Sequence, residues 1–144
     1  MPFEKRPVGD DNPVWRYSAN PIIPVNPQPD ISRVYNSAVV AFGGAFIGVF
    51  RVEKRDMTPR LYLGRSPDGI AWKIEDRPIL FTDENGKPRT SNCAYDYDPR
   101  VTRIEGVYYI TWCTDAFGPV IALARTEDFK TFVKLENATL PCNR

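Results

Sequence analysis

Two stretches of this chain follow one plan about sixty residues apart, and that internal repeat limits what the chain can fold into. Laying Gly44 on Gly106 places Val39 on Val101, Phe46 on Tyr108 and Phe50 on Trp112. After a two-residue slip in a loop, Arg65-Ser66 falls on Arg125-Thr126 and Trp72 on Phe132. Each copy reads as four short strands joined by turns. In the first, Ala38–Phe42 and Ala45–Arg51 flank a Gly43-Gly44 hairpin, then Leu61–Ser66, a Pro67-Asp68-Gly69 turn and Trp72–Ile74 follow. In the second, Asp98–Ile104 and Val107–Trp112 flank Glu105-Gly106, and Val120–Thr126 and Phe132–Leu135 flank Glu127-Asp128. Fourteen prolines disfavour long helices, and 12% aromatic residues suit packed sheets. The fold class is therefore all-β. Repeated four-stranded meanders favour consecutive blades of a β-propeller over a β-sandwich, which shares most of the same turn signals.

The repeats occupy about residues 36–80 and 98–140, within an incomplete propeller spanning 31–144. Two blades cannot close a ring, so the expectation is the N-terminal part of a larger closed protein, or several chains combined. Residues 1–30 carry Pro2, Pro7, Pro13, Pro21, Pro24, Pro27 and Pro29 around Val14-Trp15-Arg16-Tyr17 and Ile22-Ile23. They read as an extended arm that lays its Trp and Ile side chains on the sheets. The formal net charge of +1 offers no footprint for nucleic acid, and no apolar run is long enough to span a bilayer. The N-terminal residues lack the apolar segment of a signal peptide, so the expected location is cytoplasmic.

The chain has no histidine, and Cys93, Cys113 and Cys142 are widely spaced. A zinc site and every Ser-His or Cys-His nucleophile are thereby disfavoured, and no metal is expected. Chemistry falls to carboxylates, tyrosines and arginines. They are densest in Tyr95-Asp96-Tyr97-Asp98-Pro99-Arg100. The repeat aligns Asp98 with Asn36, each read as opening the first strand of its blade. First strands line a propeller's axis, so Asn36-Ser37 and Asp98-Pro99-Arg100 should face one another, with Arg51 in reach. The plainer alternative makes Asn36 and Asp98 turn-capping residues. Amide, hydroxyl and carboxylate groups with Tyr97 beside them suit a polyhydroxylated ligand. Asp98 could act as a general acid on a glycosidic oxygen. Glycosidases generally employ a second carboxylate. Asp96 would share the side of Asp98 in an extended segment, while Asp115 falls in a loop.

Asn12-Pro13-Val14-Trp15-Arg16-Tyr17, Tyr35-Asn36-Ser37-Ala38-Val39-Val40, Gly48-Val49-Phe50-Arg51 and Tyr97-Asp98-Pro99-Arg100-Val101 occur in this order. They resemble glycoside hydrolase family 130, and within it the β-1,4-mannoside phosphorylases. The resemblance implies a five-bladed propeller with its active site on the axis, and Asp98 as sole general acid. It implies proton delivery through the mannose 3-hydroxyl and attack by inorganic phosphate from the opposite face, giving α-mannose 1-phosphate with inversion. Phosphate as co-substrate removes the need for a second carboxylate or any cofactor. Asn36, Ser37 and Arg51 would bind the mannose before the cleaved bond, and Tyr97 would border the next subsite, with Arg100 in the same pocket. The family's phosphate-gripping residues lie mostly beyond residue 144, so residues 1–144 alone are expected to be inactive. The rivals are a β-mannoside hydrolase of the same family and a non-catalytic carbohydrate-binding propeller. The proline-rich arm could serve as a homo-oligomer contact.

Overall fold

The structure is a computed structural model that describes residues 4–89, 95–115 and 118–140. Among them there are nine strands and no helix: β1 (Ile31–Phe42), β2 (Ala45–Lys54), β3 (Pro59–Ser66), β4 (Lys73–Pro78), β5 (Phe81–Thr82), β6 (Asp96–Ile104), β7 (Val107–Thr114), β8 (Val120–Thr126) and β9 (Phe132–Lys134). The first sheet runs β1-β2-β3-β4 and the second β5-β9-β8-β7-β6. Each repeat thus forms one antiparallel meander, as the sequence spacing requires. Two such sheets do not by themselves close a ring.

The turns explain why the repeat holds its register. Gly43 and Gly44 take φ values of 59° and 77°, and Glu105 and Gly106 take 49° and 89°. Both tight hairpins therefore place two consecutive residues at positive φ, the backbone that matches the twist of paired strands. The turns after β3 and β8 share a second device. Ser66 Oγ accepts from Gly69 N at 2.8 Å, and Thr126 Oγ1 accepts from Phe129 N at 2.9 Å. Asp68 Oδ1 accepts from the amides of Ile70 and Ala71, both at 2.8 Å. Asp128 Oδ1 does the same for Lys130 at 2.8 Å and Thr131 at 2.9 Å.

Those amides stabilise the ionised carboxylates. The amides of Ala71 and then Ile70 hold Asp68 below the ordinary value of 3.8, and those of Thr131 and then Lys130 do so for Asp128. A folded-state value below the unfolded one contributes stability above pH 3.8 that is lost as pH falls through the folded value. Asp68→Asn with Asp128→Asn should therefore flatten the acid end of the stability–pH curve below that point. Unfolding midpoints measured at pH 2–5 check this.

The core lies between the sheets. Strand alternation puts Ile47 and Val49 of β2 and Leu61 and Leu63 of β3 on the face toward the second sheet. They meet Tyr108, Ile110 and Trp112 of β7, Ala122 and Ala124 of β8, and Phe129 and Phe132. The opposite face of the first sheet buries Phe50, Val52, Tyr62 and Ile74 with Ile31. Ile23 and Trp72 pack against this second cluster.

Gly48 and Gly64 stand directly opposite each other in the β2–β3 ladder, and the Phe50 ring lies across both. A Cβ on Gly64 would stand 2.6 Å from Phe50 and 2.8 Å from Ile74. Phe50 cannot retreat freely, because it is 2% exposed and Trp72 packs edge-on at 5.0 Å. Gly64→Ala should cost about 1–3 kcal/mol through overpacking, read by denaturant unfolding.

Three expectations need correction. Asn36 and Asp98 do not open their strands: β1 begins at Ile31 and β6 at Asp96. The ladder runs past both residues because Val34 still pairs with Val52, and Asp96 and Tyr97 with Thr114 and Cys113. Trp72 precedes β4 and does not begin it, since its indole Nε1 donates to Gly69 O at 3.0 Å and closes the turn. The two-residue strand β5 was not foreseen; it pairs in parallel with β9 and borders the second sheet. Cys113 is a half-buried free thiol, whereas Cys93 and Cys142 lie outside the described residues.

Candidate active site

The site forms where the two sheets meet, from one residue on each of β1, β2 and β6. Along β2 the face carrying Ile47 and Val49 continues to Arg51, which emerges from the core at its rim. On β1 the pairing shifts between Val34 and Ser37, and on β6 between Tyr97 and Arg100. Each shift is a β-bulge, which re-aims a side chain out of strict alternation. Asn36 sits in the first bulge and Asp98 in the second, 62 residues apart in sequence.

Asp98 has φ of 54° and precedes Pro99, which is fully buried. Left-handed backbone is strained for most residues, least so for Asp and Asn. Such strain persists only where the surroundings over-determine it, and it concentrates at functional sites. Here it turns the carboxylate toward the first sheet. Asp98 Oδ1 accepts from Asn36 Nδ2 at 2.9 Å and from Arg51 Nη1 at 3.1 Å. The Arg51 and Asp98 side chains are 28% and 34% exposed, so the pair is open to a ligand and partly shielded from solvent.

Arg51 has aromatic company. Its guanidinium carbon lies 4.9 Å from the Tyr35 ring centroid and 5.4 Å from that of Tyr97. The Tyr35 hydroxyl donates to Glu53 Oε2 at 3.1 Å and accepts from Arg33 Nη1 at 3.3 Å. Tyr35 lay inside a motif quoted from the sequence, yet neither it nor Glu53 had a role there. The available signal was strand alternation: Arg51 and Glu53 are two residues apart on β2 and so share a face.

Of the residues expected at the site, Asn36, Arg51, Tyr97 and Asp98 come together. Ser37 is exposed beside Asn36 and pairs with Phe50. Arg100 turns its guanidinium to Pro99 O at 2.9 Å. Asp96 does not share the side of Asp98. It is 9% exposed and accepts from Trp112 Nε1 at 2.8 Å, because the bulge breaks the alternation that an extended segment would have kept. Asp115 lies in a loop, as expected, and accepts from Tyr95 N at 3.2 Å. One carboxylate, one amide and one guanidinium thus converge, a set able to bind hydroxyls and to offer a single acid or base.

Residues 1–144 match the profile of a family described as β-1,4-mannooligosaccharide phosphorylase. The chain belongs to glycoside hydrolase family 130. It is 43% identical over 150 residues to a β-1,4-mannooligosaccharide phosphorylase of Ruminococcus albus. That match covers 100% of this chain and 44% of the relative, so the chain spans less than half the length of the curated protein. A solved family 130 structure, reported among glycoside hydrolases that target β-1,2-mannosidic linkages in Candida mannan, is 25% identical. It superposes with a TM-score of 0.61 over 76% of this chain and 32% of its own. The β-1,2-mannobiose phosphorylase of Listeria innocua, solved with β-1,2-mannobiose, gives a TM-score of 0.68 at 17% identity. It covers 90% of this chain and 52% of that one, and at such identity the likeness speaks for the fold alone. Within family 130, the Tyr35-Asn36-Ser37 and Tyr97-Asp98-Pro99-Arg100 segments of this chain supply the bulges that meet at the seam.

Proposed function

We propose that this chain carries the acid half of the active site of an inverting β-1,4-mannooligosaccharide phosphorylase, whose complete form is a five-bladed propeller. One observation carries the reading: a single carboxylate, Asp98, accepts from Asn36 and Arg51 across the seam between the two sheets. Phosphorolysis needs one acid, because phosphate supplies the nucleophile that a hydrolase must generate from water. The 43% identity to a β-1,4-mannooligosaccharide phosphorylase supports the same substrate class.

In this mechanism Asn36, Ser37 and Arg51 hold the mannose before the scissile bond, and Tyr97 borders the leaving sugar, with Arg100 nearby. Asp98 gives its proton to the mannose 3-hydroxyl, which passes its own to the glycosidic oxygen. Phosphate attacks the anomeric carbon from the opposite face as the C–O bond breaks. The products are α-mannose 1-phosphate and a saccharide shortened by one unit. Asp98 Oδ1 already accepts two donors, so the proton belongs on Oδ2. Phosphate is held by residues further along the complete protein, which we place in the cytoplasm and which requires no cofactor.

Hydrolysis is the second reading, favoured by the 25% identity to a structure reported among family 130 glycoside hydrolases. Incubating the complete protein with β-1,4-mannooligosaccharides, with and without inorganic phosphate, separates the two. Mannose 1-phosphate formed only when phosphate is present is the expected result. Free mannose released at the same rate without phosphate would overturn it.

A further inference from the structure

We propose that Tyr35 is a positioning residue that holds the Arg51 guanidinium against Asp98. Arg51 is long and flexible, and it reaches Asp98 through one bond, Nη1 to Oδ1 at 3.1 Å. Its Nε is buried with no hydrogen-bond partner among the described residues. Hydrogen bonds alone therefore do not define where the guanidinium plane lies. The Tyr35 ring does so from β1, at 4.9 Å and nearer than the Tyr97 ring at 5.4 Å, using the attraction between a cation and an aromatic face.

The ring is itself anchored. Its hydroxyl donates to Glu53, which is 9% exposed, and accepts from Arg33. Glu53 leaves the strand two residues beyond Arg51, so the same stretch of β2 carries both the cation and the anchor of the ring that steadies it. Packing does not account for the arrangement, because Tyr35 is 39% exposed and belongs to neither core cluster. Its position in the bulge, next to Asn36, ties the placement of Arg51 to that of the other donor on Asp98.

The kinetic part of the test rests on the phosphorylase reading; the structural part does not. In the complete protein, Tyr35→Leu removes ring and hydroxyl, whereas Tyr35→Phe keeps the ring. With β-1,4-mannobiose and phosphate, Y35L should lose about tenfold or more in kcat with a smaller change in KM, and Y35F should recover much of that loss. A native kcat in Y35L overturns the proposal. A crystal structure of unliganded Y35L should show the Arg51 guanidinium moved away from Asp98; a contact kept at its native distance overturns the proposal as well. Should Y35L not fold, Tyr35→Val takes its place in both measurements. If the native protein cleaves no mannoside, the functional reading fails, and the crystal structure alone decides the role of Tyr35.

Discussion

Replacing Asp98 with Asn in the complete protein is expected to lower phosphorolysis by about 10²–10⁴-fold, the usual worth of a positioned general acid. The fold should survive. Asn tolerates the left-handed φ of 54° that residue 98 must adopt before the buried Pro99. Its carbonyl oxygen can also accept from Asn36 and Arg51 as Oδ1 of the carboxylate does. What it lacks is an acidic proton. Asp98→Ala would remove the acid and also place an intolerant residue at that φ, so its lost activity would mix chemistry with folding. Paired measurements of kcat and unfolding midpoint on D98N check the prediction. Turnover within a few-fold of native at an unchanged midpoint would remove Asp98 from the mechanism.

The largest stability effect is expected at Phe129. It is 1% exposed and joins the two sheets through rings: Phe42 of β1 at 5.1 Å, Tyr108 of β7 at 4.7 Å and Phe132 of β9 at 6.4 Å. Its backbone also bridges them, since Arg65 of β3 donates to Phe129 O at 3.3 Å. Phe129→Ala should cost about 3–5 kcal/mol, the usual range for emptying such a site. Relief of strain offsets little, because Ala is no better suited than Phe to φ of 51°. Denaturant unfolding of the complete protein measures it, and a cost below about 1 kcal/mol would mean that the pocket closes around the missing ring.

Phe129 also marks how far the sequence can be read. The repeat sets it where the first copy has Gly69, and both residues take positive φ after the same side-chain-capped turn. A glycine there announces the backbone; a phenylalanine does not, and only burial between two sheets explains it. The meanders were legible because turn residues and strand alternation are local signals. The strand β5 was not, as two residues carry no period and the parallel partner lies far along the chain.

The site divides in the same way. Asn36, Arg51 and Asp98 were legible because the repeat superposes the first two strands of its two copies. The bulges were hidden, since a shift in register belongs to a pair of strands and leaves no mark on either alone. That missing shift is why Asp96 seemed to share the side of Asp98, and why Tyr35 carried no role. The same repeat set Ser37 and Arg100 facing one another beside Asn36 and Asp98, yet Ser37 pairs with Phe50 and Arg100 donates to Pro99 O, outside the cluster on Asp98.

On the proposed function, the bulges of two consecutive sheets build one saccharide site around residue 98. A crystal structure of the complete D98N protein with a β-1,4-mannooligosaccharide tests it most directly. The expected result is a mannose unit at the seam, with Asn36 and Arg51 within about 2.7–3.2 Å of its hydroxyls and residue 98 facing the 3-hydroxyl. A saccharide bound elsewhere, with Asn36 and Arg51 still turned to residue 98, would contradict it.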